Sequence, residues 1–465
     1  MGRRYSLKKF LQQYSGFVTV VGDPEAVDYH RFSIDSRNFR EGQMFIALKG
    51  ERFDAHQFIR EVVNKGARGV VVDVHWYRLQ QDRIGQLETV VIVVENTLDF
   101  LQQLAAWNRR QFSIPVVGLT GTSGKTTTRE MIAALLGTRF RTLRNQKNEN
   151  NQIGVPLTLL RINPNIEAAV IELGTNQPGE IPRLADWTAP THALITNVGP
   201  GHIGFFGSID AIYREKTALF NAMPPGGTIV LNMEDPRLRH YSRDGVTILS
   251  VGTRPEYDVW GNILSVNHEG AVRFHVRNAW QVQLTVPGKH QFYNALLAIA
   301  VGETLGIEAE EMKEALENFR APHQRMEMVT YRGVLFINDA YNANPDSMRS
   351  AIDFLSHLPK KGKKILVLGD MLELGDLSEA LHEDIGKYVS QHQIDAVFLY
   401  GEATRAIAAA IQKEQPDVAV YHLNSHKAIA QQLSAILEAG DTVLIKGSRG
   451  MEMEKVLTIL TGETE

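Results

Sequence analysis

A glycine-rich turn between an apolar run and a helix carries the clearest chemistry in this sequence. Residues 114–128 read IPVVGLTGTSGKTTT. Glycines let backbone N–H groups approach phosphates closely, and the following helix presents its positive end to them. Lys125 would reach the β- and γ-phosphates, while the hydroxyl of Thr126 would ligate Mg²⁺. The turn therefore predicts a nucleoside triphosphate site built from Gly121, Thr122, Ser123, Gly124, Lys125, Thr126 and Thr127.

The match to a phosphate loop is to its compact form only, because the full pattern asks for glycine where this chain has Leu119. A similar turn also occurs where a strand simply needs a tight exit into a helix. Here Val116 and Val117 continue a β-branched run before the turn, and Met131 and Ile132 begin a helical apolar repeat after it. This context favours a ligand site at the carboxyl end of a strand in an open α/β sheet.

Three further side chains could serve the same reaction. Glu172 ends an apolar strand, so its carboxylate would emerge at the sheet edge of the loop as a Mg²⁺ ligand, or as the ion-pair partner of some lysine. His202 follows another strand end among glycines and a proline, although a lone loop histidine is more often structural than metal-binding. Lys216 lies on a predicted helix and taken alone reads as a solvated lysine.

Polar residues follow apolar strands elsewhere in the chain. Those in the last third are Asp339, Asn342, Asn344, Lys446, Ser448 and Arg449. The cations could meet an anionic substrate group, while turns also favour Asn and Asp for backbone reasons. In the first third, segments 33–37 and 49–56 are polar clusters after short strands, and each is weak by itself. The basic segment 139–144 is interpreted as a solvated edge and given no role.

The composition limits the class of protein that must hold these residues. With 465 residues and 43% hydrophobic composition, the chain has room for about three domains of roughly 150 residues. A net charge of -4 argues against nucleic acid or an anionic membrane as the main partner. The lack of cysteine excludes disulfides and thiolate chemistry.

Neither a membrane span nor a signal peptide is predicted. No apolar run approaches the roughly 20 residues of a bilayer span, and the basic segment 1–10 is not followed by a signal-peptide core. Cytoplasm is the expected location.

The elements predict an α/β protein of three domains. Residues 1–110 form a small α/β module with strands at 17–21, 44–48, 70–72 and 90–94 and a helix at 97–110. Residues 111–320 continue with a mostly parallel sheet from runs at 168–173, 193–198, 228–232 and 246–251, followed by antiparallel strands at 271–276 and 280–286. Residues 321–465 alternate helices with strands at 334–338, 365–369, 396–400 and 443–446, as in a Rossmann-like domain.

Four longer segments carry a resemblance to a known family. They are NENNQIGVPLTLL at 148–160, ELGTNQPGEI at 172–181, DAYNANPDSM at 339–348 and LGDMLELG at 368–375. In order and spacing they resemble the Mur ligases of bacterial peptidoglycan synthesis, most closely the F-type branch. The resemblance runs through nearly the whole chain.

The resemblance implies an ATP-driven amide ligase. The carboxylate of UDP-N-acetylmuramoyl-tripeptide attacks the γ-phosphate to give an acyl phosphate, and the amine of D-alanyl-D-alanine then displaces phosphate. ATP and two Mg²⁺ ions are the implied cofactors, and a monomer is expected. The lysine matching Lys216 is carbamylated in the family and holds a second Mg²⁺ with the matches of Glu172 and His202. Its CO₂ adduct offers an anionic oxygen where an ammonium would repel the metal.

The implied site residues come from all three domains. The catalytic set is Lys125, Lys216, His202 and Glu172, and the metal set is Thr126, Glu172, His202 and Lys216. The uridine diphosphate end would be bound by Ser36, Arg37, Lys49, Asp54 and His56. The nucleotide would be contacted by the loop and by Asn294, Arg325, Asp339 and Asn342. The dipeptide side would comprise Asn344, Lys446, Ser448 and Arg449. Closure of the third domain would assemble the site and exclude water.

Several residues depart from the family pattern. Gln291 stands in place of asparagine, Asn338 and Ala340 in place of aspartate and serine, and Ala55 in place of glycine. The pair Thr217–Ala218 replaces a Gly-Glu or Ala-Glu pair, which weakens any role for a neighbouring carboxylate there.

Three alternatives stay open on the residues alone. An E-type Mur ligase or a folylpolyglutamate synthase would add a different amino acid, although segments 339–348 and 369–375 favour the F-type. A nucleotide-sensing scaffold would bind ATP without ligating anything. The third residue of the tripeptide, lysine or meso-diaminopimelate, is not specified by the sequence, and neither is the oligomeric state.

Overall fold

The computed structural model describes residues 6–51, 53–84, 88–146 and 148–462. The first half of the basic segment 1–10 and Arg52 of the polar cluster 49–56 therefore lie outside the described residues. The strands, β1 to β20 in chain order, are Val18–Val21, Phe32–Ser33, Met44–Ile46, Gly69–Asp73, Val90–Val94, Val116–Thr120, Thr142–Arg144, Ala168–Glu172, His192–Ile195, Thr228–Asn232, Thr247–Gly252, Val259–Val266, Ala271–Val276, Trp280–Pro287, Glu327–Tyr331, Val334–Asp339, Lys364–Gly369, Ala396–Tyr400, Ala419–Leu423 and Thr442–Lys446.

The helices, α1 to α16 in the same convention, are Leu7–Leu11, Ile59–Asn64, Val74–Ile84, Thr97–Arg110, Lys125–Leu136, Gly154–Leu160, Glu180–Thr188, Ile203–Phe206, Ile209–Asn221, His290–Thr304, Ala309–Glu317, Pro345–His357, Ser378–Val389, Thr404–Glu414, His426–Ile436 and Glu454–Thr461. Residue contacts group the chain into two compact units. The first unit contains residues up to 116 with 141–173 and 182–190, and the second contains 117–140, 174–181 and 191 onward.

The first unit holds a five-stranded sheet in the order β1-β5-β4-β3-β2. Its strands pair in parallel except for the antiparallel β1. Strands β4 and β5 are runs of valine and isoleucine buried on both faces, as expected for parallel strands covered by helices. The buried amide of Asn108 on α4 donates to the carbonyl oxygens of Leu159 and Ile162 and so ties α4 to the end of α6.

The second unit contains two sheets. One runs β14-β13-β12-β11-β10-β9-β6, parallel from β6 to β12 and antiparallel through β13 and β14. The other runs β15-β16-β20-β17-β18-β19 and is parallel apart from the β15–β16 hairpin. In both sheets the parallel strands end next to loops that carry the predicted site residues.

The predicted α/β class with mostly parallel sheets is confirmed. Helix α4 and strands β5, β10 and β18 have the predicted bounds. The prediction gave no ranges for β2, β7, β12, β15 and β19. Part of the segment 139–144, given no role, is β7, which pairs in parallel with β8. The three-domain division near 110 and 320 stays a prediction. Within the described part of the chain, no helix is both long enough and apolar enough to cross a bilayer.

Candidate active site

The phosphate loop joins β6 to α5, and two of its glycines are required by its geometry. Gly121 has φ 154°, and a Cβ there would lie 1.8 Å from the Thr196 hydroxyl oxygen. Gly124 has φ 79°, and a Cβ there would lie 2.7 Å from Oδ1 of Asn294. Both values fall in the left-handed region that favours glycine. The loop can therefore keep this shape, with Lys125 opening α5, only with glycine at these positions.

Residues that follow β9 hold the phosphate loop in place by hydrogen bonds. The hydroxyl of Thr196 donates to the carbonyl oxygen of Ser123 at 2.6 Å. The Ser123 N–H donates to Oδ1 of Asn197 at 2.9 Å. Sequence reasoning missed this pair, because it looked for phosphate ligands rather than for residues that hold the loop.

Lys125 and Lys216 converge on one backbone oxygen. Nζ of Lys125 donates to the carbonyl oxygens of Gly121 at 2.8 Å and Thr122 at 3.2 Å. Nζ of Lys216, on α9, donates to the same Gly121 oxygen at 2.9 Å. Helix α9 thus brings the Lys216 amine to the same loop oxygen that Lys125 contacts.

Lys216 is buried, with 3% of its surface exposed. Burial, and then the charge of Lys125, hold the pKa of Lys216 well below its usual value, while the neighbouring Glu215 raises it in part. Glu215 is itself occupied: its carboxylate accepts from the N–H groups of Gly179 at 2.8 Å and Ile181 at 2.7 Å. Burial and the charge of Lys125 therefore both shift Lys216 toward its neutral form, which is the nucleophilic form of an amine.

His202 directly precedes α8 and lies next to the segment that follows β17. It has φ 59°, and its Nδ1 contacts the Glu373 carboxylate. This hydrogen bond lowers the pKa of Glu373. The Gly204 N–H donates to the Glu373 carbonyl oxygen at 3.0 Å, and a Cβ on Gly204 would lie 2.5 Å from the Gly375 nitrogen. Glu373 belongs to one of the segments that carried the resemblance, but sequence reasoning gave it no role.

Glu172 ends β8 in the first unit and is 2% exposed. Its Oε1 accepts from the Asn150 side-chain amide at 2.9 Å, and its N–H donates to Oδ1 of Asn145 at 2.6 Å. Both asparagines precede α6; Asn150 orients the carboxylate, and Asn145 holds the backbone of Glu172. The expected strand-end position of Glu172 is found.

Arg325 and Asn344 reach the phosphate loop from the last third of the chain. Nη2 of Arg325 donates to the Thr126 hydroxyl oxygen at 2.9 Å, and the guanidinium lies 3.9 Å from the centre of the Tyr341 ring. The Asn344 amide donates to the Ser123 hydroxyl oxygen at 3.0 Å. The predicted nucleotide residue Arg325 and the predicted dipeptide residue Asn344 are thus brought to one loop. Asn294 also lies beside it, as its approach to Gly124 shows.

The partly buried Asp339 and the buried Lys446 form an ion pair, with 2.5 Å between Oδ2 and Nζ. Lys446 also donates to the carbonyl oxygen of Asn342 at 2.9 Å. The Asp339 carboxylate accepts in addition from the Met326 N–H at 3.1 Å. A residue predicted for ATP and one predicted for the dipeptide therefore hold each other in place.

The other dipeptide candidates lie in the loop after β20. The Ser448 hydroxyl accepts from the Leu372 N–H at 2.9 Å and donates to the Ala343 carbonyl oxygen at 3.3 Å. Arg449 is exposed, donates to Gln324 at 3.2 Å and pairs with Glu454. Arg449 is thus directed toward these two residues.

The candidates of the first unit form two small clusters. Arg37 has an exposed side chain that pairs with Asp35 at 2.8 Å, beside the buried Ser36. His56 is buried: its Nδ1 donates to Asp54 at 2.6 Å, because its Nε2 accepts from the Asp73 N–H at 3.0 Å. Lys49 forms a backbone bridge with Asp54. The clusters present one exposed guanidinium and one histidine locked by its neighbours.

Metal binding has a restricted set of donors. Across the ranges that the structure describes, no group of three or more His, Asp or Glu side chains is placed to hold a metal ion.

Comparison with known proteins covers nearly the whole chain. Family models match residues 28–109 (Mur ligase family, catalytic domain), 119–302 (Mur ligase middle domain) and 324–449 (Mur ligase, glutamate ligase domain). The chain is similar to UDP-N-acetylmuramoyl-tripeptide–D-alanyl-D-alanine ligase of Bacillus subtilis, 36% identical over 430 residues and 92% of each chain. Its structure is similar to MurF from Acinetobacter baumannii, with TM-score 0.86, 29% identity and 99% of each chain covered. It is also similar to MurF ligase from Thermotoga maritima in complex with ADP, with TM-score 0.81, 29% identity, and 94% and 98% covered.

Proposed function

Because this chain belongs to the Mur ligase family, we propose that it joins D-alanyl-D-alanine to UDP-N-acetylmuramoyl-tripeptide with consumption of ATP. The observation that carries the proposal is the glycine loop, in which Lys125 and Lys216 both donate to the carbonyl oxygen of Gly121. Such a loop suits a triphosphate, and a ligase needs one to activate an acid. The names of the relatives supply the substrates.

The chemistry asks the chain to bring anions together. A carboxylate is a poor acyl donor, and transfer of the γ-phosphoryl group to its oxygen creates a phosphate leaving group. The amine of the dipeptide then forms the amide bond as phosphate leaves and the amine proton passes to solvent or a base. Lys125 would leave its loop carbonyls for the phosphates, with Arg325 beside it at Thr126. Bound Mg²⁺ would screen the phosphate charge.

Lys216 is proposed to act after carbamylation. Its neutral amine attacks CO₂, a nitrogen–carbon bond forms, and one proton leaves to solvent. The carbamate would hold Mg²⁺ together with Glu172 and His202, while Thr126 would hold the other ion. Burial of the amine and its lowered pKa support this step. A carbamate signal in ¹³C NMR after incubation with ¹³C-bicarbonate is expected for the wild type and not for Lys216→Met.

The substrate sides are proposed in the same terms. The first unit would bind the uridine diphosphate end through Ser36, Arg37, Lys49, Asp54 and His56, with Arg37 as the exposed cation. Asn294, Asp339 and Asn342 would line the nucleotide, and Asn344, Lys446, Ser448 and Arg449 the dipeptide. The hydrogen bonds of Arg325 and Asn344 to the loop support closure by the last third of the chain.

We also propose three domains with boundaries near 110 and 320, a monomer, and a cytoplasmic location. The three matched family segments, at 28–109, 119–302 and 324–449, support the division.

The deciding experiment measures phosphate release from ATP with the UDP-linked tripeptide, with and without D-alanyl-D-alanine. Release is expected to depend on the dipeptide and to yield a pentapeptide product. Lys125→Ala should abolish it, while the exposed control Lys427→Ala should not. Release that ignores the dipeptide would support a nucleotide-sensing scaffold instead. Parallel assays with the lysine and meso-diaminopimelate tripeptides identify the accepted third residue.

The role of the first unit is tested separately. Arg37→Ala is expected to raise the KM for the UDP-linked substrate more than the KM for ATP. The reverse order would contradict the assignment of the uridine diphosphate end to this unit.

A further inference from the structure

A cavity of about 320 Å³ lies between the β15–β16 hairpin and α16. Its walls include Glu327, Val329, Asn338, Glu454 and Leu457. Asn338 and Glu327 are directly paired across the hairpin. Because side chains alternate along a strand, Asn338 lies on the face of β16 opposite to Asp339 and its ion pair. The cavity therefore lies on the other face of β16 from the Asp339–Lys446 pair, and Arg449 stands at its border with the proposed dipeptide side.

Two buried acceptors line this cavity without a partner. Asn338 is 5% exposed and Glu454 is 6% exposed. Oδ1 of Asn338 and Oε2 of Glu454 have no hydrogen-bond partner in the described ranges. The remaining polar atoms of both side chains are engaged: the Asn338 amide donates to Glu327 at 3.4 Å, and Oε1 of Glu454 accepts from Arg449. A buried acceptor left unpaired costs free energy, more so on a carboxylate.

The carboxylates of the cavity favour a positively charged ligand. Glu327 is already satisfied, since His323 contacts one oxygen at 3.1 Å and the Gln324 N–H donates to the other at 3.0 Å. The carboxylate of Glu454 has one oxygen committed to Arg449 and one directed at no donor. The walls carry two carboxylates, of which Glu327 faces His323, while Glu454 has the guanidinium of Arg449 on one oxygen only. The donor that fits carries a positive charge.

The kind of cation follows from the rest of the wall. No group of three or more His, Asp or Glu side chains, in the parts of the chain described, is placed for a metal ion. Val329 and Leu457 offer apolar surface beside the two acceptors. A volume near 320 Å³ is at the lower end for small-molecule sites. These features suit an ammonium group on a short aliphatic stem.

We propose that this cavity is a binding site for a small primary amine. Its ammonium group donates to Oδ1 of Asn338 and to Oε2 of Glu454, and its stem lies against Val329 and Leu457. The site shares no residue with the phosphate loop or with the Asp339–Lys446 pair, and it borders the proposed dipeptide side at Arg449, which donates to Oε1 of Glu454.

The probe is n-butylammonium chloride, titrated into the full-length protein and followed by ligand-observed NMR. The controls are 1-butanol, which has the same stem without the charge, and potassium chloride, which has a charge without the stem. Butylammonium is expected to bind one site at least tenfold more tightly than butanol, and potassium chloride is expected not to displace it. Equal affinity for amine and alcohol, or displacement by potassium at equal concentration, would overturn the proposal.

Two variants with opposite expected effects keep the test independent of folding. Glu454→Gln should weaken butylammonium binding at least tenfold, because one charge-assisted hydrogen bond becomes neutral. Asn338→Asp should strengthen it severalfold, because a second carboxylate beside that of Glu454 would then contact the ammonium group. Glu414→Gln makes the same charge change on the exposed side of α14 and should leave the affinity unchanged. If Glu454→Gln binds as the wild type does, the amine occupies another site, and the assignment of this cavity is wrong.

Discussion

The buried amine of Lys216 makes a quantitative prediction about the pH dependence of stability. In the unfolded chain a lysine keeps its proton up to about pH 10.5, whereas in the folded protein burial and Lys125 lower the pKa of Lys216 well below this value. Between the two pKa values, unfolding takes up one proton, so the free energy of unfolding rises as pH rises. One proton corresponds to about 1.4 kcal/mol per pH unit. Lys216→Met removes this contribution.

The assay is urea-induced unfolding followed by tryptophan fluorescence, in buffer free of CO₂, nucleotide and metal. Between pH 8.5 and 9.5 the wild type is expected to gain more stability than Lys216→Met, and the uptake of one proton sets an upper limit of about 1.4 kcal/mol on the difference. Lys427→Met, at an exposed position of α15, should follow the wild type. Parallel pH dependence of the wild type and Lys216→Met would show that Lys216 is protonated in the folded protein. The argument for a nucleophilic amine would then fail.

Three further substitutions have defined outcomes. Arg325→Lys removes the planar guanidinium that donates to Thr126. It is expected to lower kcat/KM for ATP about tenfold or more, because a charged hydrogen bond contributes about 1.5–3 kcal/mol. An unchanged kcat/KM in the phosphate-release assay would contradict this role. Lys446→Met leaves the partly buried Asp339 without its cation and should lower the free energy of unfolding by about 3–5 kcal/mol. The double variant with Asp339→Asn should recover part of that loss in urea unfolding, and strictly additive losses would argue against a coupled pair. Gly204→Ala puts a methyl group 2.5 Å from an opposing backbone nitrogen; faster hydrogen–deuterium exchange at 373–375 is expected, and an unaltered pattern would mean that the contact is dispensable.

Much of the fold could be predicted because its parallel strands are short continuous apolar runs. β5 and β18 were recognised in this way. The missed strands lack that signal: β15 is Glu-Met-Val-Thr-Tyr at an antiparallel edge, and β19 is a half-exposed edge strand. Their pairing depends on neighbours that the local sequence does not reveal.

The site shows the same division between local and distant information. The loop glycines and Lys125 were predicted because a phosphate loop is a local pattern. The contacts of Thr126 with Arg325, Ser123 with Asn344 and His202 with Glu373 join residues 199, 221 and 171 positions apart. Only the folded chain places them together. For Lys216 the sequence predicted the helix but not its burial, because burial depends on residues distant in the sequence.

The carbonyl oxygen of Gly121, which accepts from both lysines, has a consequence for genetics as well as for chemistry. Removing Lys125 relieves Lys216 of a neighbouring charge, and removing either side chain leaves the other as the remaining lysine donor to this oxygen. The energetic effects of substituting Lys125 and Lys216 should therefore not sum, and each position sets the background on which the other is tolerated. A substitution at one lysine would therefore change which residues are tolerated at the other.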